Sequence, residues 1–237
     1  MQLLVTRPLP DALETAKRLK DLGHEALVQP LLRIVFAPAP RELATPAALL
    51  ITSRNALRAV LTWPQAALWR DVPLFAVGKA TAREATAAGF TDVRTGGGDA
   101  AALADAVKES LSPELGTLLY PAARHRTGGL SEALSAAGYT VTIVESYRAE
   151  AATQFDATVK RALIQQTLDG VLLYSPRTAE AFRTAVTKAG LLDRVTGLTF
   201  YALSAQIGGA LDGLDAEVLW PERPEEALLL GLIGKNA

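Results

Sequence analysis

Thr6-Arg7, Thr52-Ser53-Arg54-Asn55, Gly78-Lys79, Gly96-Gly97-Gly98, Arg124-His125-Arg126, Ser175-Pro176-Arg177 and Ser204 are short polar segments dominated by hydroxyls, glycines and cations. Each follows a short apolar run and precedes a stretch with apolar residues three and four apart, the pattern of a strand-to-helix turn. Unpaired backbone N–H groups at helix starts attract carboxylates and phosphates, and side-chain hydroxyls, Lys and Arg add donors there. The chemistry these segments suit is the holding of an anion. A plainer reading stands beside it, because Ser and Thr are ordinary helix N-caps and Arg7, Arg54 and Arg177 are ordinary surface charges.

Other chemistries find less support. The chain has no cysteine, which removes thiol nucleophiles, disulfides and cysteine-ligated zinc. His24 and His125 are its only histidines and lie outside any ligand-like spacing, so both read as surface residues and no metal site is expected. No Gly-x-Ser-x-Gly segment occurs. Gly96 to Gly98 lacks the spacing of a dinucleotide fingerprint and the Lys-Ser/Thr pair of a phosphate loop, and reads as a turn. Tyr147 lies in an extended segment, Ile143 to Arg148, and its phenol is a high-pKa donor suited to protonating a leaving hydroxyl. It reads equally as an aromatic wedge.

With 49% hydrophobic residues, 21% charged residues and a net charge of -1, the 237-residue chain has apolar material for a core and no bias toward nucleic acid. Arg7 and Pro8 interrupt the first apolar run, and no later run reaches membrane-spanning length, so a cytoplasmic protein is expected.

The elements that must position these residues alternate along the chain, predicting an α/β fold with parallel sheets. Strands are predicted at Leu3 to Thr6, Ala26 to Gln29, Leu49 to Thr52, Leu74 to Val77, Asp92 to Arg94, Thr117 to Tyr120, Thr140 to Val144, Gly170 to Tyr174, Leu198 to Ala202 and Glu217 to Leu219. Helices are predicted at Asp11 to Leu22, Arg54 to Leu61, Ala80 to Ala88, Ala100 to Ser110, Gly128 to Ala137, Phe155 to Thr167, Thr178 to Lys188, Ala205 to Leu211 and Glu225 to Ile233.

An internal repeat organises them. Leu50-Ile51-Thr52-Ser53-Arg54-Asn55-Ala56 resembles Leu173-Tyr174-Ser175-Pro176-Arg177-Thr178-Ala179, and Phe75-Ala76-Val77-Gly78 resembles Tyr201-Ala202-Leu203-Ser204. The counterpart of Leu4 to Gly23 is Leu119 to Gly138, so the order is permuted. One domain inserted into another produces that order. Residues 1–34 and 150–237 are expected to form the outer domain and 37–147 the inserted one, with 30–37 and 143–150 as two connector strands. A hinged cleft between two domains would suit an anion.

These segments resemble the uroporphyrinogen-III synthase family over essentially the whole chain. The resemblance rests on Val5-Thr6-Arg7-Pro8, Pro30-Leu31, Thr52-Ser53-x-x-Ala56, Ala76-Val77-Gly78-Lys79-Ala80-Thr81-Ala82, Leu119-Tyr120-Pro121, Ser146-Tyr147-Arg148, Ser175-Pro176-x-x-Ala179 and Glu222-Arg223-Pro224 in that order. It implies two flavodoxin-like or related three-layer α/β domains joined by a two-stranded β connector. It also implies a cofactor-free lyase that closes hydroxymethylbilane into uroporphyrinogen III with the last ring inverted. Hydroxymethylbilane synthase would hand over the substrate, and the enzyme would act as a monomer. By the resemblance Tyr147 assists departure of the hydroxyl, while Ser53, Thr81 and Ser175 hold carboxylates or the reacting end. Thr52 and Ser204 join them as loop hydroxyls, and Arg7 and Lys79 on charge and position. Two departures stand out, Ala202-Leu203-Ser204-Ala205-Gln206 in place of a Gly-x-x-Thr-Ala loop and Tyr174 where threonine is common. A tetrapyrrole-sensing module without turnover and a hinged small-anion binding protein share the layout; the latter normally carries an export signal.

Overall fold

The computed structural model describes residues 1–125 and 128–234. In chain order the elements are β1 (Gln2–Val5), α1 (Asp11–Asp21), β2 (Glu25–Val28), β3 (Leu32–Phe36), β4 (Ala48–Ile51), α2 (Arg54–Leu61), β5 (Leu74–Ala76), α3 (Lys79–Ala87), β6 (Val93–Thr95) and α4 (Ala100–Ser110). There follow β7 (Leu118–Ala123), α5 (Leu130–Ala136), β8 (Val141–Ala151), α6 (Ala157–Gln165), β9 (Gly170–Leu173), α7 (Pro176–Ala189), β10 (Thr199–Ala202), α8 (Ala205–Gly209), β11 (Glu217–Leu219) and α9 (Glu226–Leu230). The α/β class with parallel sheets agrees with the sequence pattern.

The chain divides into two compact units, Met1–Arg33 with Glu150–Ala237, and Ile34–Ala149. The first unit holds a sheet of order β11-β10-β9-β1-β2, every pair parallel. Leu4 of β1 sits between Leu27 of β2 and Val171 of β9. Chain order reverses between β1 and β9, and in open α/β sheets ligands bind beyond the carboxyl ends of the strands at such a reversal. The Thr6 hydroxyl donates to the Leu172 carbonyl at 2.6 Å there, tying the two strands. Gly170 is required at the other end of β9. A Cβ would lie 2.6 Å from the Thr199 carbonyl oxygen and 2.8 Å from the Tyr201 ring.

The second sheet has the order β3-β8-β7-β4-β5-β6, parallel from β8 through β6, and its order reverses between β4 and β7. All four residues of β4 are buried, as expected where helices cover both faces of a parallel sheet. Leu49 and Ile51 pack with Leu57, Val60, Trp63 and Trp69 on one face, and Ala48 and Leu50 with Phe75, Leu103, Val107 and Leu134 on the other. The predicted strand Thr140 to Val144 and the extended segment after it form one long strand, β8. A 3-10 helix at Pro64–Trp69, which the periodicity did not reveal, drives Trp69 into the core.

Candidate functional site

In the second unit the reversal between β4 and β7 carries a group of hydroxyls. Ser53 ends the loop after β4 in extended backbone, and its Oγ accepts the Ala56 N–H at 3.1 Å, capping α2. The same Oγ lies 3.0 Å from the Tyr147 hydroxyl. Next to it, Thr52 Oγ1 lies 3.4 Å from the hydroxyl of Tyr120, a buried residue of β7. Capping and clustering are therefore not exclusive for Ser53, since an oxygen with two lone pairs and one proton does both.

A bulge aims Tyr147. Ala122 pairs with Glu145 but Ala123 pairs with Tyr147, so Ser146 is the extra residue. Ordinary alternation would send Val144 and Tyr147 to opposite faces. The inserted residue returns Tyr147 to the Val144 face, against the core of Leu49 and Leu57, where it can reach Ser53. Ser146 is fully buried and donates its hydroxyl to the Ala122 carbonyl at 3.2 Å, which pins the bulge.

Lys79 is the exposed first residue of α3, and Thr81 is buried in the same turn. Arg58 of α2 makes a two-pronged ion pair to Glu84 of α3, at 2.6 and 3.0 Å, which fixes the two helices relative to each other. Gly96 packs where a Cβ would collide with the backbone of Leu103 in α4, while Gly98 turns the chain at a φ of 110° with open space around it, so the triglycine is a turn with one packed position. Arg126 lies outside the described residues.

In the first unit the reversal between β1 and β9 is filled from within. Arg7 directs Nη1 to Glu226 Oε1 at 3.0 Å and to Thr15 Oγ1 at 3.2 Å, and its Nη2 to Asp11 Oδ2 at 3.5 Å. Its guanidinium stacks 4.0 Å from the centre of the Tyr174 ring. The Glu226 carboxylate accepts from Thr15 Oγ1 at 2.5 Å and from the Tyr174 hydroxyl at 2.9 Å, and pairs with Arg18. Burial, followed by the Glu226 charge, pushes the Tyr174 hydroxyl far above its ordinary range. Burial opposes the Glu226 charge, but Thr15, Arg7, Tyr174 and Arg18 outweigh it and hold the carboxyl below its usual value.

The remaining predicted residues sit at the carboxyl ends of neighbouring strands. Ser175 caps α7, accepting the Thr178 N–H at 3.2 Å, with the Thr178 hydroxyl 2.7 Å away. Ser204 precedes α8 with no side-chain cap bond and lines an open cavity of about 280 Å³ with Leu203, Trp220, Glu222 and Pro224. Sequence reasoning missed Tyr120, Glu226 and Trp220 as members of these sites. Tyr120 had a signal, a hydroxyl close to a predicted ligand-side loop. Glu226 had none, lying 219 residues from Arg7.

No helix among the described residues is long and apolar enough to cross a membrane. The family model of uroporphyrinogen-III synthase HemD matches residues 14–231. Sequence comparison with curated proteins finds no match. Among solved structures the chain is similar to uroporphyrinogen-III synthetase from Helicobacter pylori 26695, with 16% identity, a TM-score of 0.65, and coverage of 98% of this chain and 96% of that one. It is also similar to a mutant uroporphyrinogen III synthase from the extremely thermophilic bacterium Thermus thermophilus, with 20% identity, a TM-score of 0.56, and coverage of 98% and 96%. Those likenesses support the fold, and the family match, spanning nearly the whole chain, carries the assignment. By that match the chain belongs to the uroporphyrinogen-III synthase family, the cyclising lyases of tetrapyrrole biosynthesis.

Proposed function

We propose that the hydroxyls of Tyr147 and Ser53 receive the hydroxymethyl end of hydroxymethylbilane and assist departure of its hydroxyl. The observation that carries this reading is the 3.0 Å approach of the two oxygens beside the β4/β7 reversal. Ser53 accepts the Ala56 N–H, so its own proton can point to Tyr147, and the phenolic proton can then be given to the substrate. As the C–O bond breaks, that proton converts the leaving hydroxyl to water, and the terminal pyrrole N–H proton passes back to the Tyr147 phenolate, leaving a neutral azafulvene and a restored phenol. In the sequence of steps written for the family, the substituted carbon of the last pyrrole attacks it, and a spiro intermediate fragments and recloses with that ring reversed. Holding the chain in the attacking geometry, against the direct closure that occurs in water, is then the enzyme's main task.

On the same reading Thr52, Lys79, Thr81, Ser175 and Ser204 hold pyrrole carboxylates. Arg7 is already paired with Glu226 and is better assigned to holding the first unit together. The strand order β2-β1-β9-β10-β11 supports a flavodoxin-like outer domain, 1–34 with 150–237, and β3-β8-β7-β4-β5-β6 a related inserted domain, 37–147, joined by strands 30–37 and 143–150. The reading takes the protein as a cofactor-free cytoplasmic monomer fed by hydroxymethylbilane synthase.

A double-mutant cycle tests the hydroxyl pair. Tyr147→Phe is expected to lower kcat by about 10²-fold, at the lower end of general-acid effects. Ser53→Ala added to the Tyr147→Phe variant should cost far less than Ser53→Ala alone. Wild-type kcat in both single variants would remove the pair from the chemistry.

A further inference from the structure

Trp220 differs from the other two tryptophans. Trp63 and Trp69 are 3% and 1% exposed in the core of the second unit, whereas Trp220 is 49% exposed immediately after β11. It therefore stands on the carboxyl-end side of a parallel sheet, the side where such sheets take ligands. The indole is nonetheless held. It follows Val218 at strand period on the same side of the chain, and helix α8 presents Gly208 beneath both residues. A Cβ at Gly208 would lie 3.1 Å from Val218 Cγ1 and 3.6 Å from Trp220 Cε3. One edge of the ring is thus seated on a glycine while the rest faces the cavity that Ser204, Glu222, Pro221 and Pro224 line.

At about 280 Å³ that cavity is smaller than the roughly 300–1,000 Å³ of sites that engulf a drug-sized molecule. It suits one ring of a larger ligand. Its polar groups fit a pyrrole bearing acid side chains: Ser204, whose hydroxyl makes no cap bond, is a donor for a carboxylate, and Glu222 is an acceptor for a pyrrole N–H. A large aromatic face, fixed in advance, binds another π system without ordering a loose side chain.

We infer that Trp220 is a stacking platform for one pyrrole ring of the tetrapyrrole, with Ser204 and Glu222 as its polar rim. The inference rests on the activity of the family and adds a substrate-positioning residue to it. Because stacking holds substrate and transition state alike, loss of the indole raises KM and leaves kcat unchanged.

The test has two arms. Steady-state assays of Trp220→Ala with fresh hydroxymethylbilane should show KM raised by about three- to tenfold, the size of one aromatic contact, with kcat and the proportion of isomer III preserved, and Trp220→Phe restoring most of the loss. In the second arm, anaerobic uroporphyrinogen III, which is colourless, should protect wild-type tryptophan emission from acrylamide, with the effect absent in Trp220→Phe. Unchanged KM in Trp220→Ala overturns the inference, as does equal acrylamide quenching with and without uroporphyrinogen III. Protection of Trp220 in a wild-type protein that makes only isomer I would leave the platform standing and remove the activity instead.

Discussion

The Ser53 Oγ serves two partners at once, taking the Ala56 N–H at 3.1 Å and meeting the Tyr147 hydroxyl at 3.0 Å. Its stability role and its site role therefore separate by choice of substituent. Ser53→Ala loses the cap and should cost about 1 kcal/mol, lowering Tm by about 2–4 °C for a chain of this size. Ser53→Asp keeps a capping oxygen and should restore Tm, yet it offers Tyr147 an anion in place of a proton donor and should not restore turnover. Thermal melts beside kinetic assays read both effects; full activity in the Asp variant would contradict the site role.

Glu226 joins α9 to the β1 and β9 ends through Arg7, Thr15 and Tyr174. Glu226→Gln is expected to destabilise the chain by about 2 kcal/mol at neutral pH, less than the roughly 3–5 kcal/mol of a fully buried broken pair because solvent reaches Glu226 and Arg18. Denaturant titration measures it.

That effect has a sign in pH. The folded carboxyl of Glu226 is held below its ordinary value, so its contribution is complete above the unfolded pKa and lost as pH falls through the lower folded one. The Tm gap between wild type and Glu226→Gln should be widest near neutral pH and close in acid, below the ordinary carboxylate range. A gap that widens in acid would contradict the network as described.

Gly170 lies at the start of a central strand with no room for a side chain. Gly170→Ala should cost about 2–3 kcal/mol, an overpacking effect, because the carbonyl of Thr199 cannot withdraw without breaking the β9–β10 ladder. Equilibrium unfolding reads it directly, and a neutral Ala variant would show that the strands have slack.

The parts of this molecule that rest on local pattern were legible in the sequence. The apolar runs of β4 and β9 and the Ser caps of α2 and α7 announce themselves within a few residues. What depends on distant pairing did not. The orientation of Tyr147 follows from one extra residue opposite Ala122 and Ala123, which no periodicity contains. Arg7 read as an available cation because Glu226 reaches it only in the folded chain. Trp220 stands in no motif or period that marks it, since its seat on Gly208 exists only once β11 and α8 have packed.

The central claim is tested most directly by giving purified protein fresh hydroxymethylbilane, oxidising the products and separating the porphyrin isomers by chromatography. A majority of isomer III is the expected result. Isomer I alone, the product of closure in buffer, would contradict the claim.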